Sequence, residues 1–420
     1  MEMRPFGHLT RVAVAQRRLW AAARPIVRTE ALPVTEAFDR VAAAPVRAPF
    51  PVPAFARTTW DGYALRAVDT RTASVRRPVR LTVVGEVFAE EAFRGRLGPG
   101  ETVEIATGGA IPRGADAVVI FESVRRIDRT ILVDRPISSG ERIDRPGHDF
   151  PRGARLVRPG EELSAPTLGT VAACGVPRVR VYARPIVAIL PNGNELLRPG
   201  DRPAPGKIFE SNNASLSGAI VAAGGVPWPE PPAPDDPRAI ERSLRAALAR
   251  ADVVLATGGS SVGERDYLPK ILPRLGTLLF HGIAVRAGKP TLAARVGRKV
   301  VIGLPGHPTS CLANMYWLVI PAIRRIARRP GPGWTEGWAV LGSDAVAPTP
   351  GLSTMVPLRF ENGRAYTTNR GSSVITSLSG ATAFAMLPPG RRRVRAGQRL
   401  KVFHLDPPLG SVRPDARPRS

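Results

Sequence analysis

Between Pro185 and Arg329 the chain alternates short apolar runs with amphipathic stretches, and three of the apolar runs open into loops of glycine and small polar residues. Pro185–Leu190, Asp252–Ala256 and Lys299–Leu304 read as buried strands. Ser211–Ala223 reads as a helix closed by Gly224 and Gly225. Asp236 before Pro237 reads as the cap and first residue of another helix, with Ile240, Leu244, Ala247, Leu248 and Ala251 on one face. The Lys299 run feeds a helix containing Leu312, Met315, Leu318 and Val319, which Pro321 kinks or ends. Strands alternating with helices predict a mostly parallel sheet covered on both faces.

Ligands of such sheets bind beyond the carboxyl ends of the strands. Those ends carry Pro191–Leu196, Thr257–Tyr267 and Pro305–Ser310. Glycines let backbone N–H groups approach an oxyanion, and helix N-termini add a favourable dipole. Three such loops on one rim suit a phosphorylated or polyanionic small molecule. Two other nucleotide motifs fail. Before Gly288-Lys289-Pro290-Thr291 the nearest glycine, Gly282, is one residue too distant for a P-loop, and Pro290 fills the Ser/Thr position. No G-x-G-x-x-G follows a strand.

The remaining sequence has a different texture. Thr10–Ala23 is expected to be a helix capped by Thr10 and stopped at Pro25, and Val34–Ala43 a second, short one. From Val46 to Arg145 short alternating runs such as Val79–Val83 and Ile131–Val133 read as a small β domain. It holds two polar clusters, Thr58–Ala64 and Thr107–Val119, each of which alone reads as turns. A mixed segment runs to Tyr182; 330–350 reads as a loop rich in Gly, Pro and Trp; and a last β segment covers 353–406.

A length of 420 residues implies more than one domain, and 43% hydrophobic residues imply packed cores. The net charge of +25 raises the question of nucleic acid. Only Lys207, Lys270, Lys289, Lys299 and Lys401 are lysines, however, and the arginines are scattered through an Ala/Pro/Gly-rich chain. That is compositional bias, not a nucleic-acid face, though it attracts anionic ligands. A lysine kept at 289 marks a place for a compact ammonium. Cys174 and Cys311 form neither a disulfide framework nor a zinc site. With no apolar run near the ~20 residues of a membrane helix and no signal-peptide core, a soluble cytoplasmic protein is expected, with no membrane partner.

Taken together, these segments resemble the molybdopterin molybdenumtransferases, a family that includes the C-terminal domain of gephyrin. The resemblance runs from Leu32 to Val402. It rests on Asp61-Gly62-Tyr63-Ala64; on Thr107-Gly108 with Gly114–Val119 and Glu122; and on Gly193–Leu196. Further along it rests on Ser211-Asn212, the Gly258–Asp266 loop, Gly288-Lys289-Pro290 and Pro305-Gly306.

The resemblance implies a multidomain α/β plus β protein, an elongated homodimer. Its expected parts are a connecting α+β domain (1–45 and 146–182), an inserted β domain (46–145), an α/β molybdopterin-binding domain with a parallel sheet (183–330) and a C-terminal β domain (331–406), with 407–420 a disordered tail. The implied site lies between the α/β domain of one subunit and the inserted domain of the other. The implied reaction inserts molybdate into adenylylated molybdopterin with Mg²⁺ and release of AMP. Protein partners implied are the molybdopterin adenylyltransferase and molybdoenzyme apo-proteins.

By motif match, Asp61, Thr107, Glu195 and Asp266 are the catalytic candidates, and Asp235 and Asp266 the metal ligands. Glu195 or Asp61 would position water or the incoming oxyanion. Substrate-binding candidates are Ser211, Asn212, Gly258, Gly259, Ser260, Ser261, Arg286, Lys289, Pro305, Gly306 and Ser372.

The chain departs from the family pattern at several places. Asn194 stands for the usual Asp, Arg286-Ala287 for Lys-Pro, Gly282 for a Lys, His307 for an Asn, and Arg370–Ser373 for a Gln-Gly-Ser-Gly-like run. Arg286 can hold an oxyanion, with Arg370 compensating; Gly282 cannot. These departures keep open an alternative, a divergent paralogue that binds or delivers the cofactor without inserting metal. Nothing in the sequence suggests a groove for a scaffold role.

Overall fold

The structure is a computed structural model that describes residues 8–261, 263, 266–346, 349–371, 374–391 and 393–405. The candidate Ser372 and the segment 407–420 lie outside the described residues. The chain forms two compact units: residues 31–38 with 42–180, and the remainder.

The first unit is built on a six-stranded sheet of β1 (Gly62–Leu65), β2 (Val79–Val87), β3 (Glu101–Ile105), β4 (Ala117–Ile120), β5 (Val124–Ile127) and β6 (Thr130–Val133), in the order β4-β1-β3-β2-β6-β5. Only β2 and β3 pair in parallel. Alternation along the strands buries both faces: Tyr63, Leu65, Leu81, Val119 and Ile131 lie in one cluster, and Ala64, Val87, Val103, Ile105 and Val118 in the other. Gly62 is required where β1 meets β4, because a Cβ there would stand 2.1 Å from the Val119 carbonyl oxygen. The expected helix over Val34–Ala43 is not formed. A single 3₁₀ turn, Val34–Glu36, takes its place, and Asp39 adopts a left-handed φ of 63° that no helix can contain.

The second unit carries the α/β layer. Its helices are α1 (Val12–Ala22), α2 (Asn212–Ala222), α3 (Pro237–Arg250), α4 (Leu268–Leu275), α5 (Pro308–Asn314) and α6 (Ile320–Ile326). Its first sheet comprises β7 (Ile186–Pro191), β8 (Val226–Pro229), β9 (Val253–Thr257), β10 (Thr277–His281), β11 (Leu292–Val296) and β12 (Lys299–Leu304), ordered β8-β7-β9-β12-β11-β10. The first four of that order are parallel, and β11 and β10 are antiparallel. Both faces are covered, as expected. Val187, Ile189, Val253, Leu255 and Ile302 pack with α1, α2 and the α5–α6 segment. Ala188, Leu190, Val254, Ala256 and Val301 pack with α3 and α4.

Helix α3 starts as its sequence dictates: the Asp236 carboxylate accepts the Ala239 N–H at 2.6 Å, and Pro237 follows. Helix α1 differs from expectation. Arg11, not Thr10, is its N-cap residue, and Thr10 instead bridges to Ile283 as a short strand. The segment after β12 is also unlike the expected kinked helix. It is α5, then a π-helical turn over Met315–Val319, then α6 with Pro321 in its first turn. Pro321 has no N–H for the Trp317 carbonyl. Gln16 Nε2 donates to that oxygen at 3.0 Å, and Trp20 Nε1 donates to the Leu318 carbonyl at 3.2 Å. Helix α1 thus satisfies what the π turn leaves open.

The same unit ends in a β layer of β13 (Trp334–Val340), β14 (Ser353–Glu361), β15 (Arg364–Thr367), β16 (Ala383–Leu387) and β17 (Arg399–Leu405). The stretch 330–350, expected to be loop, therefore contains a strand. β13 pairs antiparallel with β17 over its whole length, Trp334 opposite Leu405 and Val340 opposite Arg399. The short strand Val285–Arg286 joins this layer beside β14. No helix among the described residues is long and apolar enough to cross a membrane.

Candidate functional site

Strand β7 ends at Pro191, and the next residue, Asn192, is buried and tied to β9: its N–H donates to the Thr257 carbonyl at 2.8 Å and its Nδ2 to the Leu190 carbonyl at 3.2 Å. Gly258 follows β9 with φ 83°, and a Cβ there would lie 2.4 Å from the Asn192 carbonyl oxygen. Only glycine permits that approach. The Gly258 N–H and the buried Ser260 hydroxyl both donate to the Leu304 carbonyl, each at 3.2 Å, which joins this loop to the end of β12. Gly306 lies against Gly258, and its carbonyl accepts Asn212 Nδ2 at 3.0 Å. Asn192, Gly258, Ser260, Gly306 and Asn212 are therefore brought to one rim. Ser261 is half-buried on the same loop, Gly259 faces open space with φ 62°, and Pro305 is buried beneath Gly306. Asn212 Oδ1 is buried without a partner among the described residues.

Glu210, which sequence reasoning did not single out, sits directly before α2 and is 5% exposed. Its carboxylate accepts the N–H groups of Asn212 at 2.7 Å and Asn213 at 3.0 Å. The helix start is thus held by Glu210, whereas Ser211 makes no capping bond. Burial pushes the Glu210 carboxyl above the ordinary carboxylate range, and the two amides offset part of that rise. Burial, aided by the Glu210 charge, also raises the Cys311 thiol far above reactivity. An acid placed just before a Ser-Asn helix start was the available signal.

The acids of the rim are individually engaged. The Glu195 carboxylate folds over Gly193, whose missing Cβ would meet both its oxygens at 2.6 Å. Asn194 and Asp235 form a reciprocal pair, the Asn194 N–H donating to Asp235 Oδ2 and the Asp235 N–H to Asn194 Oδ1, both at 3.2 Å. Asp266 Oδ2 accepts the Gly263 N–H at 2.7 Å. No hydrogen bond joins Asp235 to Asp266. Among the described residues no group of three or more His, Cys, Asp or Glu side chains is placed to hold a metal ion. Among the described residues, the hydrogen bonds of these two side chains are made by Asp235 Oδ2 and Asp266 Oδ2. Two hard oxygen donors do not cage a cation, but they suit Mg²⁺, which takes its other ligands from water and substrate phosphate.

Lys289 is exposed on a turn opened by Gly288, where φ is 103°. The Gly288 carbonyl accepts Asn314 Nδ2 and Thr291 Oγ1, both at 2.9 Å. Arg286, also exposed, donates from Nη1 to Thr349 Oγ1 at 2.5 Å. Arg286 and Ala287 line a cavity of about 150 Å³ together with Thr309, Ala313, Thr354 and Asn369. Thr354 is 3% exposed, and its hydroxyl has no partner among the described residues. The cavity holds several times the ~30 Å³ share of one water, which is room for a small oxyanion. A larger cleft of about 690 Å³, lined by Trp20, Trp334 and Arg325 among others, contains no candidate residue.

In the other unit, Asp61 and Thr107 are brought into hydrogen-bond contact. Asp61 Oδ1 accepts the Thr107 N–H at 2.6 Å and the Thr107 hydroxyl at 2.9 Å. These bonds, the backbone one foremost, hold the Asp61 carboxyl below its ordinary value. Thr58 positions the turn by bonding Trp60, and the Arg142 guanidinium covers the exposed Trp60 ring at 4.9 Å.

Family models match almost the whole chain: the MoeA N-terminal region (domain I and II) over residues 10–175, the probable molybdopterin binding domain over 188–325, and the MoeA C-terminal region (domain IV) over 340–405. A molybdopterin molybdenumtransferase from Bacillus subtilis is 32% identical over 92% of both chains, and one from Nostoc is 30% identical over 90% of this chain and 89% of its own. Two crystal structures of the molybdopterin biosynthesis moeA protein from Pyrococcus horikoshii superpose with TM-scores of 0.82 and 0.80, at 33% and 29% identity. They cover 94% of this chain and 99% and 100% of their own. On sequence, on structure and on the rim of strand-end loops that the motifs build, the chain belongs to the molybdopterin molybdenumtransferase family.

Proposed function

We propose that this protein inserts molybdate into the dithiolene of adenylylated molybdopterin and releases AMP. The observation that carries the reading is the small cavity at Arg286, with its buried Thr354 hydroxyl that has no partner among the described residues, set on loops that continue into the glycine-rich rim. A guanidinium and a hydroxyl donor in a confined space are what a tetrahedral oxyanion needs. Gly259, Ser261, Gly306 and Ser211 offer backbone and side-chain donors to the pterin nucleotide on a rim shaped by Gly258, Ser260, Pro305 and Asn212, and Lys289 adds a compact positive charge. The orphan Asn212 acceptor would take an N–H of the bound pterin.

Asp61, held ionised by Thr107, serves as an acceptor that orients water rather than as an acid. Glu195 is the other candidate for that task. The carboxylates of Asp235 and Asp266 would hold Mg²⁺, which would supply charge neutralisation for the phosphoanhydride. The active species is a cytoplasmic homodimer in this reading.

Replacing Arg286 by Ala, or Thr354 by Val, raises the half-saturating molybdate concentration about tenfold each, the loss of one strong or charge-assisted hydrogen bond. The half-saturating concentration of adenylylated molybdopterin stays within about twofold. Unchanged molybdate dependence in both variants places the oxyanion elsewhere.

A further inference from the structure

We infer that Asn314 is a positioning residue for the oxyanion side of the site, acting through the Gly288 carbonyl. The inference rests on the proposed reaction for its substrate and on the following geometry for its residue.

Asn314 is the last residue of α5 and is fully buried. Its Nδ2 donates to the Gly288 carbonyl at 2.9 Å and to Thr291 Oγ1, and its Oδ1 accepts Trp317 Nε1 at 2.8 Å. Both ends of the amide are therefore fixed, and its orientation follows from its partners. Gly288 has no side chain because Asn314 occupies that place: a Cβ would fall 2.2 Å from Nδ2. Thr291 Oγ1 donates to the same carbonyl at 2.9 Å. One carbonyl thus receives two buried donors, and it lies between Arg286-Ala287, which line the small cavity, and Lys289. Ala313, next to Asn314, lines the cavity from the other side.

The clamp extends backwards. Trp317 belongs to the π turn, and Gln16 of α1 donates to the Trp317 carbonyl. Residue 317 reaches back to residue 314 with its indole N–H while its own carbonyl is satisfied from α1. A buried amide with every polar atom matched specifies one arrangement of its neighbours. The arrangement specified here is the loop that presents two cations to the oxyanion.

The test uses the intact protein and molybdate alone, titrated by calorimetry, alongside turnover. Asn314→Asp keeps the shape and the Trp317 acceptor but removes the donor to Gly288. Thr291→Val keeps the Asn314 side chain but removes the other donor to the Gly288 carbonyl, together with the hydroxyl that Asn314 Nδ2 also meets. Both variants are expected to weaken molybdate binding about tenfold or more while kcat and the half-saturating pterin nucleotide change less than about twofold. Trp317→Phe, which frees the amide, gives a smaller shift in the same direction. Molybdate affinity unchanged in Asn314→Asp and Thr291→Val overturns the inference. So does a parallel fall of both affinities, kcat and melting temperature, which marks a structural role only. Wild-type protein that binds molybdate without turning over defeats the proposed reaction but leaves the positioning role standing or falling on the titrations.

Discussion

Glu210 is where one side chain couples folding to pH. Its carboxyl is raised by burial in the folded protein, so the folded state holds the proton more tightly than the unfolded one. The stability that this contributes is complete below the unfolded value, about 4.3 for a glutamate, and is lost as pH rises through the raised folded value. Gln at 210 keeps an oxygen for the Asn212 and Asn213 amides and cannot titrate. The melting temperature of Glu210→Gln relative to wild type therefore rises between pH 4 and pH 7; a difference independent of pH removes Glu210 from the titrating groups. At the same scale, Gly282 explains a departure from the family. It takes φ 82°, a left-handed conformation unfavourable to lysine, so a lysine restored there starts from a strained backbone. Asp61, Thr107 and Asp266 stood out as acids and a hydroxyl in glycine-rich turns, and Asp235 by motif match in a proline-rich one. Glu210, Asn314 and Thr354 did not. Their importance comes from burial and from partners that no local pattern reveals, Gly288 being 26 residues from Asn314.

Helices and strands followed local rules where those rules were strong. The Asp236-Pro237 start of α3 is formed as read, and Asp236→Ala should lower stability by about 1 kcal/mol in chemical denaturation of the α/β layer; a change near zero means the cap is replaced, Asp235 being the neighbour able to do so. Three of the four parallel strands, β7, β9 and β12, were legible because they are short and largely apolar and open into glycine-containing loops; β8, Val-Pro-Trp-Pro, lacks that pattern. The strand β13 was hidden among Gly, Pro and Trp because its partner, β17, lies some sixty residues further on, and pairing of that range leaves no local trace. The π turn was hidden for a similar reason. Pro321 signals a break, but whether the chain kinks, stops or widens depends on Gln16 and Trp20, which arrive from the other end of the sequence.

Over the whole molecule, the motif order identified the family before any contact was known, and the relatives and solved structures bear that reading out. The excess of arginine, +25 overall, is scattered but still attracts a phosphate-rich substrate and molybdate, since the summed field acts beyond single contacts. The departures at Asn194, Gly282, Arg286 and His307 bear on whether this member inserts metal or only binds its cofactor. Asn194 still pairs with Asp235, and Arg286 still lines the small cavity. The measurement that decides is turnover by the purified protein on adenylylated molybdopterin and Mg²⁺, with and without molybdate, following AMP release and molybdenum-cofactor formation. The account predicts AMP release that depends on molybdate and matches cofactor formed; tight binding of the pterin nucleotide with no molybdate-dependent release contradicts it and assigns the protein to cofactor binding or delivery.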